Sequence, residues 1–344
     1  MRAILRVLGL LLVASSTAAL VRTDTAPPPP GPRAPATVLT LDPSLAPARG
    51  KPSYHPGRDF RSPLTVKVGG EPMRMAVSAV TVLPGERLEL EVPPGSTVIH
   101  SGGTAEEMGE GWFQWTAPQG PGIHALAVTG PAGTGGDEVR INLLVARPAH
   151  QVADGVLNGY RIGAYREKAL RGDPAYLPPE GFVEVSPADH DVLVSPHFTL
   201  GEFLCKQEGD PRYVVLSSPL LLKLELILEA VNEAGIPARG LTVMSAFRTP
   251  FYNRAIGNTT DYSRHLWGDA ADVFIDEDGD GRMDDLNGDG AHSLADAQVL
   301  AQVVERLAAS GHPDYPVGGM GSYRPNGAHG GFVHVDARGQ RARW

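Results

Sequence analysis

The sequence has 344 residues, which is long enough for two domains of ordinary size. It contains 39 acidic and 30 basic residues, for a formal net charge of −9, and it has no basic cluster, which argues against binding to nucleic acid. Its single cysteine, Cys205, excludes an intramolecular disulfide, and we expect this thiol to pack as a small apolar side chain.

The N-terminus has the composition of an export signal. Met1-Arg2 and Arg6 are followed by the apolar run 7–13 and then by small residues. This order is typical of a secretory signal peptide, which we place at residues 1–25, and the apolar run is shorter than the roughly 18 residues of a membrane span. An uncleaved N-terminal anchor is the alternative. We therefore expect an exported protein that is periplasmic or associated with the cell envelope.

Residues 26–55 are predicted to be a stiff linker, because the run Pro27 to Pro30 and further prolines favour an extended polyproline conformation. Residues 56–148 are predicted to form a small β-sandwich, because short runs of alternating polar and apolar residues are separated by Pro-Gly turns. The alternating runs are Leu64–Val68, Arg87–Val92 and Arg140–Val145. This part has no cluster of catalytic residue types, so we expect it to act as a spacer or to contact the wall or an envelope protein.

Residues 149–190 are predicted to be an irregular connector, and residues 191–344 a second domain that mixes helices and strands. Helical spacing of apolar residues predicts helices at 218–234 and 294–309. Short strands are expected at 241–244, 271–275 and 332–336. The predicted fold class is therefore an α+β domain, with a small antiparallel sheet and flanking helices, preceded by a small all-β sandwich-like domain.

Three side chains of the second domain suit one zinc ion: His265, Asp272 and His334. A turn at Trp267-Gly268 followed by the strand at 271–275 would bring His265 and Asp272 together. Imidazole and carboxylate groups are zinc ligands, and a catalytic zinc takes three of them and leaves a fourth position for water. On spacing alone, the alternative stays open that these are ordinary polar groups with hydrogen-bond partners.

These residues stand in motifs that resemble a known family. Ser263-Arg264-His265 through Asp272, together with Phe332-Val333-His334-Val335-Asp336, resembles the zinc D-alanyl-D-alanine carboxypeptidase family. That family also contains vancomycin-resistance dipeptidases and phage endolysin peptidases. The run Ser245-Ala246-Phe247-Arg248-Thr249-Pro250 is similar to the arginine-bearing turn upstream of the family's first zinc ligand. The resemblance covers roughly residues 190–344.

The resemblance implies a metal, a substrate and a reaction. It implies that His265, Asp272 and His334 hold one catalytic zinc ion. It also implies that Arg248 and Ser263 lie at the substrate, where a guanidinium suits a peptide C-terminal carboxylate; a structural salt bridge is the alternative role for Arg248. The implied reaction is zinc-dependent hydrolysis of peptide bonds in peptidoglycan stem peptides or cross-bridges, of the D,D-carboxypeptidase or endopeptidase type. Such an enzyme remodels the cell wall.

One departure from the family concerns the general base. Family members place an acidic base a few residues before the third zinc ligand, where this sequence has Ala328-His329-Gly330-Gly331. His329 is one candidate, since a neutral imidazole can accept a proton. Asp336 is the other, although it shares a strand face with His334 and suits better the role of orienting that imidazole. The identity of the base stays open.

An acidic insertion at 276–296 separates the second and third zinc motifs. Its second stretch fits the calcium-loop template, with ligands Asp285, Asn287, Asp289, Ser293 and Asp296. Its first stretch offers Asp276, Asp278 and Asp280 and also fits up to position nine, but its twelfth residue is Asn287, which the second loop already uses. We expect one structural calcium ion; a second ion, or a solvated loop with none, are the alternatives.

Two other functions stay open from the sequence. A non-catalytic wall-binding or scaffold protein with a structural zinc site is favoured by the missing acidic base. A zinc peptidase for ordinary L-peptides would need the same ligands. We expect a monomer whose partners are peptidoglycan peptides.

Overall fold

A computed structural model of the chain describes residues 36–57 and 60–344. The expected signal peptide and the first residues of the expected linker lie outside these ranges. The described part is a mixed α/β structure with few helices and several small sheets, in agreement with a β domain followed by an α+β domain. None of the helices in these ranges is long and apolar enough to cross a membrane.

The first part of the described chain is built from two five-stranded sheets that share one hydrophobic core. Its strands are β1 (Val38–Leu41), β2 (Lys67–Val68), β3 (Glu71–Pro72), β4 (Val77–Val82), β5 (Arg87–Glu91), β6 (Thr97–His100), β7 (Thr104–Gly109), β8 (Trp112–Thr116), β9 (Gly122–Thr129) and β10 (Glu138–Val145). One sheet has the order β1-β6-β9-β10-β4, and the other has the order β3-β2-β5-β8-β7. This arrangement agrees with the predicted sandwich.

Alternation of side chains explains how the two sheets pack. In β8, Phe113 and Trp115 are buried between the sheets while Trp112 on the opposite face is exposed. Strand β1 lies within the stretch that we expected to be linker, and it pairs in parallel with β6. Its sequence, Val-Leu-Thr-Leu, contains no proline and favours a strand. The linker prediction therefore does not hold for this stretch.

The connector and the start of the second part form short paired strands and 3₁₀ turns. The strands are β11 (Arg147–Pro148), β12 (Val156–Leu157), β13 (Tyr160–Arg161), β14 (Gly181–Val185), β15 (Leu193–Ser195), β16 (Phe198–Thr199) and β17 (Arg212–Val214). The 3₁₀ turns are Ala149–Gln151, Leu170–Gly172, Pro174–Tyr176, Pro187–Asp189 and Leu200–Phe203. Strands β11, β14 and β17 form one sheet, and β12-β13 and β15-β16 are two-stranded pairs.

The remaining chain forms a five-stranded sheet with helices against it. The elements are α1 (Ser218–Glu233), β18 (Thr242–Ser245), α2 (Pro250–Ala255), a 3₁₀ turn (Arg264–Trp267), β19 (Ala270–Phe274), α3 (Leu294–Ala309), β20 (Gly319–Tyr323), β21 (Phe332–Asp336) and β22 (Ala342–Arg343). The order is β18-β19-β21-β20-β22, antiparallel except for the pair β20-β22. The predicted helices and strands of this part are present within about two residues of their expected ends.

The two long helices pack with α1 and α3 in contact and α3 against β20 and β21. In α1, Leu221, Leu224 and Leu228 are buried, as their helical spacing predicts. Ser293 caps the N-terminus of helix α3, and its hydroxyl accepts the backbone N–H of Ala295.

The sandwich and the second part share a continuous core. Phe60, Met75 and Ala79 belong to the same cluster of buried side chains as Val194 and Leu226. Separation of the two parts would expose these apolar side chains to water, which is unfavourable. The sandwich is therefore packed against the second part.

Candidate metal centre

Asp272 and His334 are paired residues on adjacent strands. Strands β19 and β21 run antiparallel, and their register places Asp272 opposite His334. His265 comes from the 3₁₀ turn before β19, and Gly268 ends that turn in the left-handed region, with a φ of 66°. A Cβ at Gly268 would lie 2.0 Å from the carbonyl oxygen of Val215, so this turn requires glycine. The predicted turn is therefore present, and it brings His265 to the two strand residues.

The three side chains converge on one point. The Nε2 atom of His265 lies 3.2 Å from Nδ1 of His334, and that Nδ1 lies 2.9 Å from Oδ1 of Asp272. The third separation, from His265 Nε2 to Asp272 Oδ1, is 3.3 Å. A tetrahedral zinc ion with bonds of about 2.0–2.1 Å separates its ligand atoms by about 3.3 Å. Both the spacing and the donor set, two imidazoles and one carboxylate, therefore fit a zinc ion.

Each imidazole is oriented through its other nitrogen. Nδ1–H of His265 donates to the carbonyl oxygen of Ala246 at 2.6 Å. Nε2–H of His334 donates to Oδ2 of Asp336 at 3.3 Å. These bonds select the tautomers in which Nε2 of His265 and Nδ1 of His334 carry a lone pair toward the centre.

Burial and charge favour, at His265 and Asp272, the protonation states that a metal requires. Burial is the largest influence on His265 and lowers the pKa of its imidazole. Burial opposes ionisation of Asp272 too, but the neighbouring imidazoles hold the pKa of its carboxyl well below the usual range. Burial also acts to lower the pKa of His334, but hydrogen bonds to Asp272 and Asp336 raise it overall. A neutral His265 and an ionised Asp272 are the forms that bind zinc.

The three ligands line a cleft of about 530 Å³, a volume typical of small-ligand sites. The other lining residues are Met244, Arg248, Asn258, Thr260, Tyr262, Ser263, Arg264, Tyr323, His329, Phe332, Arg338 and Trp344. The predicted substrate residues Arg248 and Ser263 and the candidate base His329 therefore lie at the same cleft as the ligands. Sequence reasoning missed Tyr323 and Trp344, which no motif marks.

Arg248 is engaged with the metal ligand Asp272. One terminal nitrogen of its guanidinium donates to Oδ2 of Asp272 at 2.5 Å, and its Nε donates to the hydroxyl of Ser245 at 2.8 Å. Its side chain is only 13% exposed. Arg248 thus makes the salt bridge that the sequence left as an alternative, and it does so from the wall of the cleft.

Asp336 lies behind His334 and does not line the cleft. Its buried carboxylate accepts hydrogen bonds from the guanidinium of Arg338 and from the backbone N–H of Gly319. Burial alone would raise the pKa of Asp336, but the hydrogen bonds from His334 and Arg338 hold it well below the usual range. The buried ammonium of Lys223 donates to the backbone oxygen of Asp336 at 2.5 Å. Asp336 is therefore placed to orient His334 and is shielded from a substrate.

His329 belongs to a tight loop at the cleft. Its Nδ1–H donates to the carbonyl oxygen of Gly330 at 2.8 Å, and its Nε2 accepts from the amide nitrogen of Asn326 at 2.7 Å. The amide oxygen of Asn326 accepts the N–H of Ala328, which fixes the amide's orientation. These hydrogen bonds place a proton on Nδ1 of His329 and make Nε2 the acceptor.

Gly331 stands near the position at which the family has an acidic base. A Cβ there would lie 3.3 Å from the backbone oxygen of Ser293, tighter than an ordinary contact. Gly331 also lines cavities beside the acidic insertion, with Arg282 and Met283, and does not line the metal cleft. A longer side chain at this position would meet the insertion.

The acidic insertion gathers one group of carboxylates. Asp276, Asp278 and Asp284 each offer an oxygen within 4.8 Å of the others. Asp284 occupies position nine of the first loop, a position at which the sequence already fits the calcium-loop template. Burial is the largest cause of its raised pKa, and the charges of Asp278 and Asp276 add to it. Such crowding is what a bound cation would relieve.

The predicted calcium ligands of both loops, Asp276 and Asp278 included, accept hydrogen bonds from the loop itself. Both oxygens of the buried Asp296 accept backbone N–H groups, one from Leu286 and one from Ser293. Backbone N–H groups also donate to the side chains of Asp280, Asp285, Asn287, Asp289 and Ser293. The second calcium loop stays a prediction.

Residues 196–286 match the family model described as Peptidase M15. This is a family of the zinc D-Ala-D-Ala carboxypeptidase type, so the resemblance seen in the motifs is confirmed for the C-terminal part of the chain. The match includes Arg248, His265 and Asp272 and ends before His334, which the pairing of β19 with β21 supplies. No curated protein and no solved structure gave a significant match. The family match and the His-Asp-His group together support a zinc metallopeptidase.

Proposed function

We propose that this chain is a zinc peptidase that hydrolyses peptide bonds in peptidoglycan stem peptides or cross-bridges and so remodels the cell wall. The observation that carries the proposal is the convergence of His265, Asp272 and His334 at one cleft, in the part of the chain that matches Peptidase M15. We further propose that it works outside the cytoplasmic membrane, in the periplasm or at the envelope, because its N-terminal sequence is typical of exported proteins.

The chemistry that a bound zinc ion supplies is to lower the pKa of a water molecule and to polarise a carbonyl group. His265 would hold the ion through Nε2, His334 through Nδ1 and Asp272 through Oδ1. Arg248 occupies the second oxygen of Asp272 and so keeps Oδ1 directed at the centre. Asp336 accepts the Nε2–H of His334 and so directs Nδ1 of that ring at the centre.

We assign the role of general base to His329. His329 lines the cleft and its Nε2 acts as a hydrogen-bond acceptor, whereas Asp336 is buried and paired with Arg338. In this role, the amide of Asn326 gives up its hydrogen bond to Nε2. The ring then takes a proton from the attacking water and returns it to the nitrogen of the leaving amine.

The charges of the cleft favour an internal peptide bond as the target. The three guanidinium groups that line the cleft each pair with a carboxylate: Arg248 with Asp272, Arg264 with Asp269 and Arg338 with Asp336. A substrate with a free C-terminal carboxylate would have to compete with one of these partners. An internal peptide has no such charge. We therefore place endopeptidase cleavage of cross-bridges ahead of carboxypeptidase cleavage.

We also propose one structural calcium ion at the first acidic loop, held by Asp276, Asp278 and Asp284 with Asp280 nearby. The ion would neutralise the crowded carboxylates and stiffen the chain that leaves β19, the strand that presents Asp272. Arg282 of the same loop shares a cavity with His329, so order in the loop would extend to the candidate base.

Product analysis on purified peptidoglycan tests the proposal. The full chain is incubated with the wall, with and without a zinc chelator, and the released muropeptides are identified by mass. Endopeptidase cleavage turns cross-linked dimers into monomers, and carboxypeptidase cleavage shortens the stem by one residue. Intact muropeptides at saturating zinc would exclude the enzyme. This result would favour a wall-binding or scaffold protein with a structural zinc. Gly331 supports that candidate, because glycine stands near the position of the family's acidic base and cannot accept a proton. Cleavage of a panel of L- and D-terminated peptides distinguishes a wall-specific enzyme from a zinc peptidase that acts on ordinary L-peptides.

A further inference from the structure

Part of the connector lies against the turn that carries His265. We call residues 165–177 the anchoring segment; it precedes the stretch that matches Peptidase M15, which begins at residue 196. The turn is the 3₁₀ element Arg264–Trp267, and its four residues are all buried. A 3₁₀ turn of this length has little stability of its own, so its position depends on what it packs against.

Three hydrogen bonds join the anchoring segment to this turn. The hydroxyl of Tyr165 donates to the backbone oxygen of Leu266 at 2.7 Å. The indole N–H of Trp267 donates to the backbone oxygen of Leu177 at 2.7 Å. The guanidinium of Arg264 donates to the backbone oxygen of Ala175 at 3.1 Å. Arg264 and Leu266, the two neighbours of His265 in the chain, are thus both hydrogen-bonded to the anchoring segment.

Aromatic packing reinforces these bonds. The ring of Tyr176 lies edge-on to the indole of Trp267, with 5.3 Å between centroids, and Tyr165 packs against that indole at 5.9 Å. The guanidinium of Arg264 lies 4.4 Å from the centre of the Tyr176 ring. Its charge is balanced by Asp269, with which it forms a buried ion pair. Cation–π contacts are strongest when they are removed from water, as here.

The two sides of His265 are therefore held by different parts of the chain. On the inner side, Ala246 accepts the Nδ1–H of the imidazole. On the outer side, the anchoring segment fixes the backbone of the turn. We propose that the anchoring segment is a positioning element of the metal centre, which sets the affinity for zinc by holding the turn of His265 in place. This inference rests on the zinc site of the proposed function and does not depend on its substrate.

Four variants of the full chain test the inference, the last of them Tyr165→Phe. Tyr176→Leu removes the ring beneath Arg264. Tyr176→Phe keeps the ring and removes a hydroxyl that, among the residues the structure describes, makes no hydrogen bond to the turn. Tyr160→Leu is the matched control: Tyr160 is equally buried and belongs to the same connector, but it packs against Tyr213 and not against the turn. The zinc dissociation constant is measured by competition with a chromophoric chelator. Hydrogen exchange of the turn is followed in the metal-free protein.

We expect Tyr176→Leu to weaken zinc binding by about 10-fold, in the range found when outer contacts of metal ligands are lost, and to speed exchange at the turn. Tyr176→Phe should match the wild type. Tyr160→Leu should lower the melting temperature without changing zinc affinity. Tyr165→Phe, which removes only the bond to Leu266, should weaken zinc binding to a smaller extent, and it tests the inference even if Tyr176→Leu does not fold.

Wild-type zinc affinity and wild-type exchange in both Tyr176→Leu and Tyr165→Phe would overturn the inference. An equal loss of zinc affinity in Tyr160→Leu would also overturn it, because the effect would then come from general destabilisation. A loss of affinity specific to Tyr176→Leu would uphold it even if the wild-type protein leaves peptidoglycan intact, so the two proposals fail separately.

Discussion

The ring nitrogens of His265 and His334 lie 3.2 Å apart, although the two residues are 69 positions apart in the chain. Sheet register produces this proximity, because β21 places His334 opposite Asp272, beside the turn that carries His265. A shift of β21 by one residue would turn His334 to the other face of the sheet. The metal centre is therefore a consequence of strand pairing as much as of the residues themselves.

Asp336 is expected to support zinc binding through His334. An Asp336→Asn variant removes the charge that accepts Nε2–H of His334, and we expect zinc affinity to fall about 10- to 100-fold. Glu305→Gln is a control, because Glu305 is likewise a carboxylate paired with arginine, here Arg341 and Arg343, but does not line the cleft. Chelator competition measures both. Loss of activity with unchanged zinc affinity would instead identify Asp336 as the general base.

His329 is expected to serve in proton transfer and not in zinc binding. A His329→Gln variant keeps a polar side chain but cannot accept a proton at the cleft. We expect kcat to fall by about 10²- to 10⁴-fold while zinc affinity stays at the wild-type value. Steady-state kinetics on a cross-linked muropeptide, together with chelator competition, measure the two quantities. Activity that survives in His329→Gln would show that another group serves as base.

Lys223 is expected to make stability depend on alkaline pH. Burial lowers the pKa of its ammonium to about 8. The unfolded chain has a pKa of about 10.4 for this group, so the folded protein binds fewer protons between the two values and gains stability as the pH rises through that window. A Lys223→Met variant lacks this change. The difference in free energy of unfolding between the variant and the wild type should change by up to about 3 kcal/mol in favour of the wild type between pH 8 and pH 10.4.

Urea denaturation of the wild type and the Lys223→Met variant at several pH values measures this difference, and other titrating groups cancel because both proteins contain them. A difference that stays constant across the window would mean that Lys223 keeps its ordinary pKa in the folded protein.

Calcium is expected to stabilise the protein through the first acidic loop. Asp284→Asn removes one of the three clustered carboxylates, so the rise in melting temperature on adding calcium should disappear. Asp289→Asn, in the second loop, is the matched variant and should keep the rise. Thermal denaturation with calcium and with chelator measures both. If Asp289→Asn lost the rise and Asp284→Asn kept it, the calcium ion would be assigned to the second loop. If calcium did not change the melting temperature of the wild type, the proposed calcium site would be wrong.

Much of the C-terminal fold follows from local patterns. Apolar spacing predicts α1 and α3, alternation predicts β21, and the glycine after Trp267 predicts the turn before β19. The three zinc ligands could be named because their residue types and order are those of a known family. The strand pairing that places Asp272 opposite His334 is a long-range property and has no local signature.

Other features depend on tertiary contacts that a sequence does not display. Lys223 stands among leucines on the buried face of α1, yet only the fold shows that its ammonium meets the backbone of Asp336. Tyr176 lies in a connector without regular pattern, and its contact with Arg264 joins segments far apart in the chain. Asp284 could have been assigned, because it occupies position nine of the first calcium loop. Strand β1 was not predicted, because the prolines around it indicated an extended linker.

The most direct measurement of the central claim is a zinc titration of the metal-free protein during turnover of a purified cross-linked muropeptide. His334→Ala and, as a buried histidine away from the cleft, His100→Ala are titrated in parallel. We predict that wild type and His100→Ala gain activity in proportion to zinc up to one ion per chain, whereas His334→Ala binds zinc poorly and stays inactive. A wild-type protein that binds one zinc ion per chain and leaves the muropeptide intact would contradict the account.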